Sequence, residues 1–204
     1  GATGSGKSRL LEALAAQGAQ VLHLEEIAAH KGSVLGNLPG QPQPAQKGFE
    51  TSLFAALSAL DPTRPVYVEA ESRKIGRLQV PDALLDAIRR APGLCIEAPL
   101  AARVEFLLHD YDYAVADPDW LTERLGHLKG LQSNETLERW RALIAALDFP
   151  TLVAELLTLH YDPLYQRSQA HNYDSFAAAT RYTAARLDGV AFDRLAAEIL
   201  ATSA

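Results

Sequence analysis

Methionine is absent from the 204 residues, and with it any start residue, so the numbering is expected to begin inside a longer chain. Cysteine occurs once, at Cys95, so no internal disulfide can form, which suits a reducing cytoplasm rather than a stapled secreted fold. Cys95 has apolar neighbours in a short apolar run and reads as a buried structural thiol. No apolar run approaches the ~18 residues that a membrane-spanning helix needs, and the opening residues lack the pattern of a signal peptide. Positive charge is scarce: 19 Lys and Arg against 25 Asp and Glu leave a net charge of −6. That balance argues against a grip on nucleic acid by bulk electrostatics, though it leaves room for a local cluster such as Arg73, Lys74 and Arg77. The six histidines form no group with metal-ligand spacing, and nothing local supports a Ser/His/Asp arrangement.

What the chain does have is at its start. Gly1-Ala2-Thr3-Gly4-Ser5-Gly6-Lys7-Ser8 matches the phosphate-loop pattern G-x-x-x-x-G-K-[ST] in full. Glycines let the backbone turn its N–H groups inward onto phosphate oxygens. Gly4, Ser5, Gly6, Lys7 and Ser8 are therefore the expected phosphate cradle, with Lys7 reaching the terminal phosphate and the Ser8 hydroxyl facing a magnesium ion. The helix that begins here adds its positive dipole end. Such a loop hangs between a buried strand and a helix, so a strand is expected ahead of Gly1.

Apolar residues at helical spacing continue from Lys7 to Gln17, and Gly18 closes that helix. Residues 21–24 read as a buried parallel strand, which completes the opening of a doubly wound α/β sheet. Residues 31–47, rich in Gly, Pro and Gln, form a long loop beside the strand ends, where ligands gather. A helix over 49–60 follows, with Phe49, Leu53, Phe54, Leu57 and Leu60 on one face. The short strand 65–71 ends in Glu69 and Glu71. An acid there either orients magnesium or pairs with Arg73 or Lys74 to shape the site. A helix over 81–90 and a strand over 94–96 come next, and Arg103 beyond them either clamps a phosphate or makes a surface salt bridge.

Residues 118–165 are helical almost throughout and read as an insert or cover over the site, with Ser133 or Asn134 capping the central helix. Asp162-Pro163 reads as a fresh helix cap that breaks the run. His160, Tyr161 and Tyr165 nearby offer aromatic faces able to stack on a base or an isoprenoid. A last strand near Thr180 and a helix over 191–200 return to the sheet. The expected architecture is a single P-loop NTPase-like domain over 1–204, with a mainly parallel sheet and the helical insert over 118–165.

Five segments together resemble the P-loop portion of the tRNA 2-selenouridine synthase family: residues 1–8, Ala29-His30-Lys31-Gly32-Ser33, Gln46-Lys47-Gly48-Phe49-Glu50, the distinctive run 68–76, and His160-Tyr161-Asp162-Pro163-Leu164-Tyr165. The resemblance implies exchange of the sulfur of a wobble 2-thiouridine in tRNA for selenium from selenophosphate, through an S-geranylated intermediate made with geranyl diphosphate. It implies an N-terminal rhodanese-like domain in cis that carries the family's catalytic cysteine, a role Cys95 does not inherit. Lys7, Glu69, Glu71 and Arg73 are the catalytic candidates. Lys31, Lys47, Ser72, Arg73, Lys74, His160, Tyr161 and Tyr165 are the candidates for contact with tRNA or co-substrate, and Ser8 for magnesium. The residues alone leave two alternatives open: an ATP-dependent small-molecule kinase, and a non-catalytic tRNA-docking module.

Overall fold

The computed structural model describes residues 1–33, 35–172 and 178–202. Helix α1 (Lys7–Ala16) follows the glycine-rich loop, and strand β1 (Gln20–Leu22), the single turn α2 (Leu24–Ile27) and α3 (Gln46–Ser58) come next. Then follow β2 (Val66–Val68), the hairpin β3 (Lys74–Ile75) and β4 (Leu78–Gln79), α4 (Asp82–Arg90), β5 (Leu94–Glu97) and α5 (Leu100–Asp110). The helical stretch comprises α6 (Asp112–Ala116), α7 (Pro118–Gly126), α8 (Asn134–Ala145), α9 (Phe149–Leu156), a π-helical turn (Leu157–Tyr161) and α10 (Asp162–Asn172). Strand β6 (Thr180–Thr183) and α11 (Gly189–Thr202) complete the described chain.

The parallel pairings expected of an α/β fold are present. β1 runs parallel to β2, with Val21 opposite Tyr67, and β5 runs parallel to β6, with Ile96 opposite Tyr182. They form two separate pairs rather than one sheet, and β3–β4 is an antiparallel hairpin turning at Gly76. A Cβ on Gly1 would lie 2.7 Å from the Ile96 carbonyl, so the start of the loop packs against β5.

Three apolar cores hold these elements. Leu10 and Leu14 of α1 pack with Ile96, Phe192, Leu195 and Ile199, joining α1 to α11 and β5. Leu22, Phe49, Leu53, Ile75 and Leu85 close the β1–α3–hairpin side. Trp140, Ile144, Leu125, Phe149 and Leu152 fill the helical stretch, where Trp140 is fully buried. Ser133 caps α8 by accepting the Thr136 N–H, as expected. Cys95 is buried.

Two local expectations fail. Phe54, assigned to the buried face of α3, is 73% exposed, because the face that meets the core carries Phe49, Leu53 and Ala56. Asp162 does not cap a new helix: its backbone is α-helical, and the π-helical turn passes directly into α10. One extra residue in that turn re-aims the segment without breaking it, and the Asp162 carboxylate bonds to Arg103 instead.

Candidate functional site

The loop has the backbone of an anion cradle. Gly4 and Gly6 adopt left-handed φ values of 77° and 74°, which side chains resist. A Cβ on Gly4 would lie 2.8 Å from Leu107 Cδ1, and one on Gly6 2.3 Å from Phe192 Cζ, so packing as well as conformation demands glycine. Gly6 caps α1, which brings the free N–H groups of the first helical turn to the loop. Lys7 is the first helical residue, and its ammonium donates to the Gly1 carbonyl at 3.2 Å.

Three carboxylates meet this loop from the ends of β1 and β2. Ser8 Oγ donates to Glu25 Oε2 at 2.9 Å. Glu69, 2% exposed, accepts the Leu24 N–H through Oε2 at 3.0 Å, while its buried Oε1 has no hydrogen-bond partner. A Cβ on Gly32 would lie 2.8 Å from a Glu25 oxygen and 3.0 Å from a Glu71 oxygen, so the 31–33 segment lies against both acids. Burial pushes the Glu69 carboxyl up to about 7 against the opposing Leu24 N–H. Burial, reinforced by the Glu25 charge and opposed by Lys7, pushes Glu71 to about 7 as well. Near neutrality these groups can hold or release a proton beside the phosphate cradle. Among the described residues, no group of three or more His, Cys, Asp or Glu side chains is arranged to hold a metal ion.

Thr3 of the loop also borders a narrow apolar slot. Leu107 of α5, Val115 of α6 and Leu121 of α7 line it, together with Phe149, Val153 and Leu156 of α9. Its polar contributions are Thr3, Ser33 and the hydroxyls of Tyr111 and Tyr161. Burial raises both tyrosines, Tyr161 to about 12, so they stay neutral. Arg103 ties the loop to this wall: its Nε donates to the Thr3 carbonyl at 2.8 Å, and its two terminal nitrogens grip Asp162 at 3.0 and 2.6 Å. The arginine is buried, so the pair is an internal strut rather than a surface salt bridge.

Sequence reasoning placed Lys7, Ser8, Glu69 and Glu71 together; the structure sets the Glu71 carboxyl within the field of Lys7, joins Ser8 to Glu25, and holds Glu69 on the Leu24 N–H. Tyr161 lines the slot. His160 is buried and faces Gln132 through Nδ1 at 3.2 Å, edge-on to Tyr161, so it offers no face for stacking on a base. Lys31 bonds to Asp110 and lies over the Tyr111 ring, 4.2 Å from its centroid. Arg73 is exposed and paired with Asp82, not with Glu69 or Glu71. Ser72 Oγ donates to the Lys74 carbonyl, and Lys74 and Lys47 are exposed around the hairpin. Tyr165 is half-buried on α10. Glu25 is a loop partner that the sequence did not mark, and Asp162, read there as a helix cap, pairs with Arg103 instead. Glu25 lies 17 residues after Ser8 in a single helical turn, and only the fold brings the two together.

A helix opening on a glycine-rich loop, strand-end acids and paired parallel strands are compatible with a P-loop NTPase-like α/β fold. A profile describing the tRNA 2-selenouridine synthase AAA domain matches residues 1–143. The chain is 34% identical to the tRNA 2-selenouridine synthase of Alcanivorax borkumensis and 33% to that of Aeromonas salmonicida. In each case the match covers 81% of this chain, but only 52% and 51% of the relative. The Nitrosomonas europaea protein of the same name is 38% identical over 54% of this chain and 29% of its own length. This chain belongs to the tRNA 2-selenouridine synthase family, and it spans about half the length of the curated relatives it matches. No solved structure matches it.

Proposed function

We propose that this chain is the P-loop part of a tRNA-modifying transferase that converts wobble 2-thiouridine to 2-selenouridine through an S-geranylated intermediate. The observation that carries the reading is the junction at Thr3, where an anion cradle meets an apolar slot. A ligand with an anionic head and an apolar tail, such as geranyl diphosphate, matches both. In the first step the thiouridine sulfur attacks the geranyl carbon that bears oxygen. That carbon–oxygen bond breaks, the electron pair leaves with the diphosphate, and Gly4, Ser5, Gly6, Lys7 and Ser8 hold the departing charge. In the second, the selenium of selenophosphate adds at the ring carbon, the carbon–sulfur bond breaks and geranylthiol leaves, and water cleaves the selenium–phosphorus bond to release phosphate.

The residues present fit magnesium. The Ser8 hydroxyl and the Glu25 carboxylate lie at hydrogen-bond distance beside the loop, and magnesium characteristically takes one or two carboxylates together with phosphate oxygens. When bound, it would neutralise charge on the leaving group. Glu69 and Glu71 hold or release a proton nearby, and Lys7 offsets their charge. On this reading Lys31, Lys47, Ser72, Arg73, Lys74 and Tyr165 lie along the tRNA path. The whole activity requires a rhodanese-like domain in cis, and the protein works in the cytoplasm. Among the described residues, no helix is long and apolar enough to cross a membrane.

The kinase alternative needs arginines over the loop. Those of the helical stretch are engaged elsewhere: Arg139 with Glu155, Arg141 with Glu138, and Arg124 against the Trp120 ring. A calorimetric titration in magnesium with geranyl diphosphate and, separately, ATP tests the reading. Preference for the geranyl compound, lost in Lys7→Ala, is expected. ATP preference with phosphate transfer would replace the reading with the kinase, and binding of tRNA alone would replace it with the docking module.

A further inference from the structure

The two ends of the α9 wall of the slot differ. Along α9 and the π-helical turn it extends from Phe149 to Tyr161, roughly 18 Å at the helical rise per residue. Tyr161 marks the end at the loop, because the adjacent Asp162 is gripped by Arg103, which bonds to the Thr3 carbonyl. The polar atoms of the lining also belong to this end, through Thr3 and Ser33. At the other end of α9 stands Phe149, 8% exposed, in the same apolar core as Leu121 and Leu125, which are 5% and 1% exposed. A tail that runs from the cradle along α9 therefore meets buried core side chains at Phe149.

We infer that Phe149 and Leu121 set the longest prenyl chain that the site accepts, which makes them specificity-determining residues for a short prenyl diphosphate. The inference rests on the diphosphate reading of the P-loop. The anionic head is fixed at Lys7 and the N-terminus of α1, so the tail cannot slide outward to relieve a clash. Each added isoprene unit must then find volume among the core side chains around Phe149 and Leu121 or leave its apolar surface in water.

The test is a titration of the chain, in magnesium, with dimethylallyl, geranyl, farnesyl and inorganic diphosphate, for the parent and for Phe149→Ala, Leu121→Ala and Val153→Phe. The parent is expected to favour geranyl over farnesyl diphosphate. Phe149→Ala and Leu121→Ala are expected to shift that ratio toward farnesyl by about tenfold or more, with inorganic diphosphate unchanged. Val153→Phe fills the slot one turn nearer the loop without opening a cavity. It should weaken geranyl binding by about tenfold while dimethylallyl and inorganic diphosphate still bind. A geranyl-to-farnesyl ratio unchanged in both alanine variants, or full geranyl affinity in Val153→Phe, overturns the inference and leaves the prenyl reading standing. Geranyl diphosphate bound by the parent no more tightly than inorganic diphosphate overturns the prenyl reading itself, and this inference with it.

Discussion

The two walls of the site are built on opposite physical terms. The α/β wall presents backbone N–H groups, an ammonium and three carboxylates, two of them raised to about 7 by burial. The helical wall presents aliphatic and aromatic surface, with Thr3 of the loop at its edge. A polar wall selects by charge and hydrogen bonds, with steep losses when one partner is removed. An apolar wall selects by shape and volume, in smaller and graded steps. The ligand must satisfy both, and Arg103 is the one buried side chain that bonds to each.

Removing that strut is expected to have the largest effect. Arg103→Leu leaves Asp162 without its bidentate partner and the Thr3 carbonyl without its donor. Loss of a buried pair's partner costs about 3 kcal/mol. Urea unfolding should show that loss, and diphosphate affinity should fall with it, since the loop is released from the helical wall. Affinity unchanged in a destabilised but folded variant would mean that the walls act independently. Next in size is Lys7→Ala, which removes a charged phosphate contact and leaves the slot intact. Affinity for inorganic and geranyl diphosphate should fall by the same factor, about 30-fold, with the unfolding midpoint unchanged. A larger loss for the geranyl compound alone would show that Lys7 also orients the tail.

How much of this arrangement the sequence discloses follows the same division. The cradle is written in consecutive residues, so Gly4, Gly6, Lys7 and Ser8 are legible from spacing, as are the strand-end acids Glu69 and Glu71. Contacts between distant segments are not. Glu25 meets Ser8 across 17 positions and Arg103 meets Asp162 across 59, and neither separation carries a periodic signal. Asp162-Pro163 reads as a cap because Asp before Pro commonly is one, and the π-helical turn that redirects it depends on a hydrogen-bond shift that composition does not encode. The Glu69 to Gly76 run looks like one functional unit, yet it divides. Glu69 is buried at the cradle, whereas Arg73 and Lys74 are exposed beside the hairpin.

That division sets the third prediction. Arg73 is exposed and paired with Asp82, so Arg73→Ala should leave diphosphate affinity within about twofold and alter only the binding of tRNA, since exposed pairs contribute little. A tenfold loss of diphosphate affinity would return Arg73 to the catalytic set and show that the hairpin closes over the cradle.

Titration separates burial from charge within the polar wall. A carboxyl raised to about 7 in the folded chain binds a proton there that the unfolded chain has already released above its ordinary value near 4.5. Between these two values the folded state holds more protons, so stability falls as pH rises and levels off above pH 7. Glu69→Gln keeps the shape and removes the titration. It should be more stable than the parent at pH 8 by about 1 kcal/mol, with the advantage gone at pH 4. Diphosphate binding without magnesium should weaken by a few fold in the parent from pH 6 to pH 8, because ionised Glu71 competes with phosphate for Lys7. Glu71→Gln should flatten that slope, and farnesyl-to-geranyl selectivity should not move at all, since the apolar wall does not titrate in this range. A selectivity that follows pH would mean that the two walls are coupled through more than the Arg103 strut.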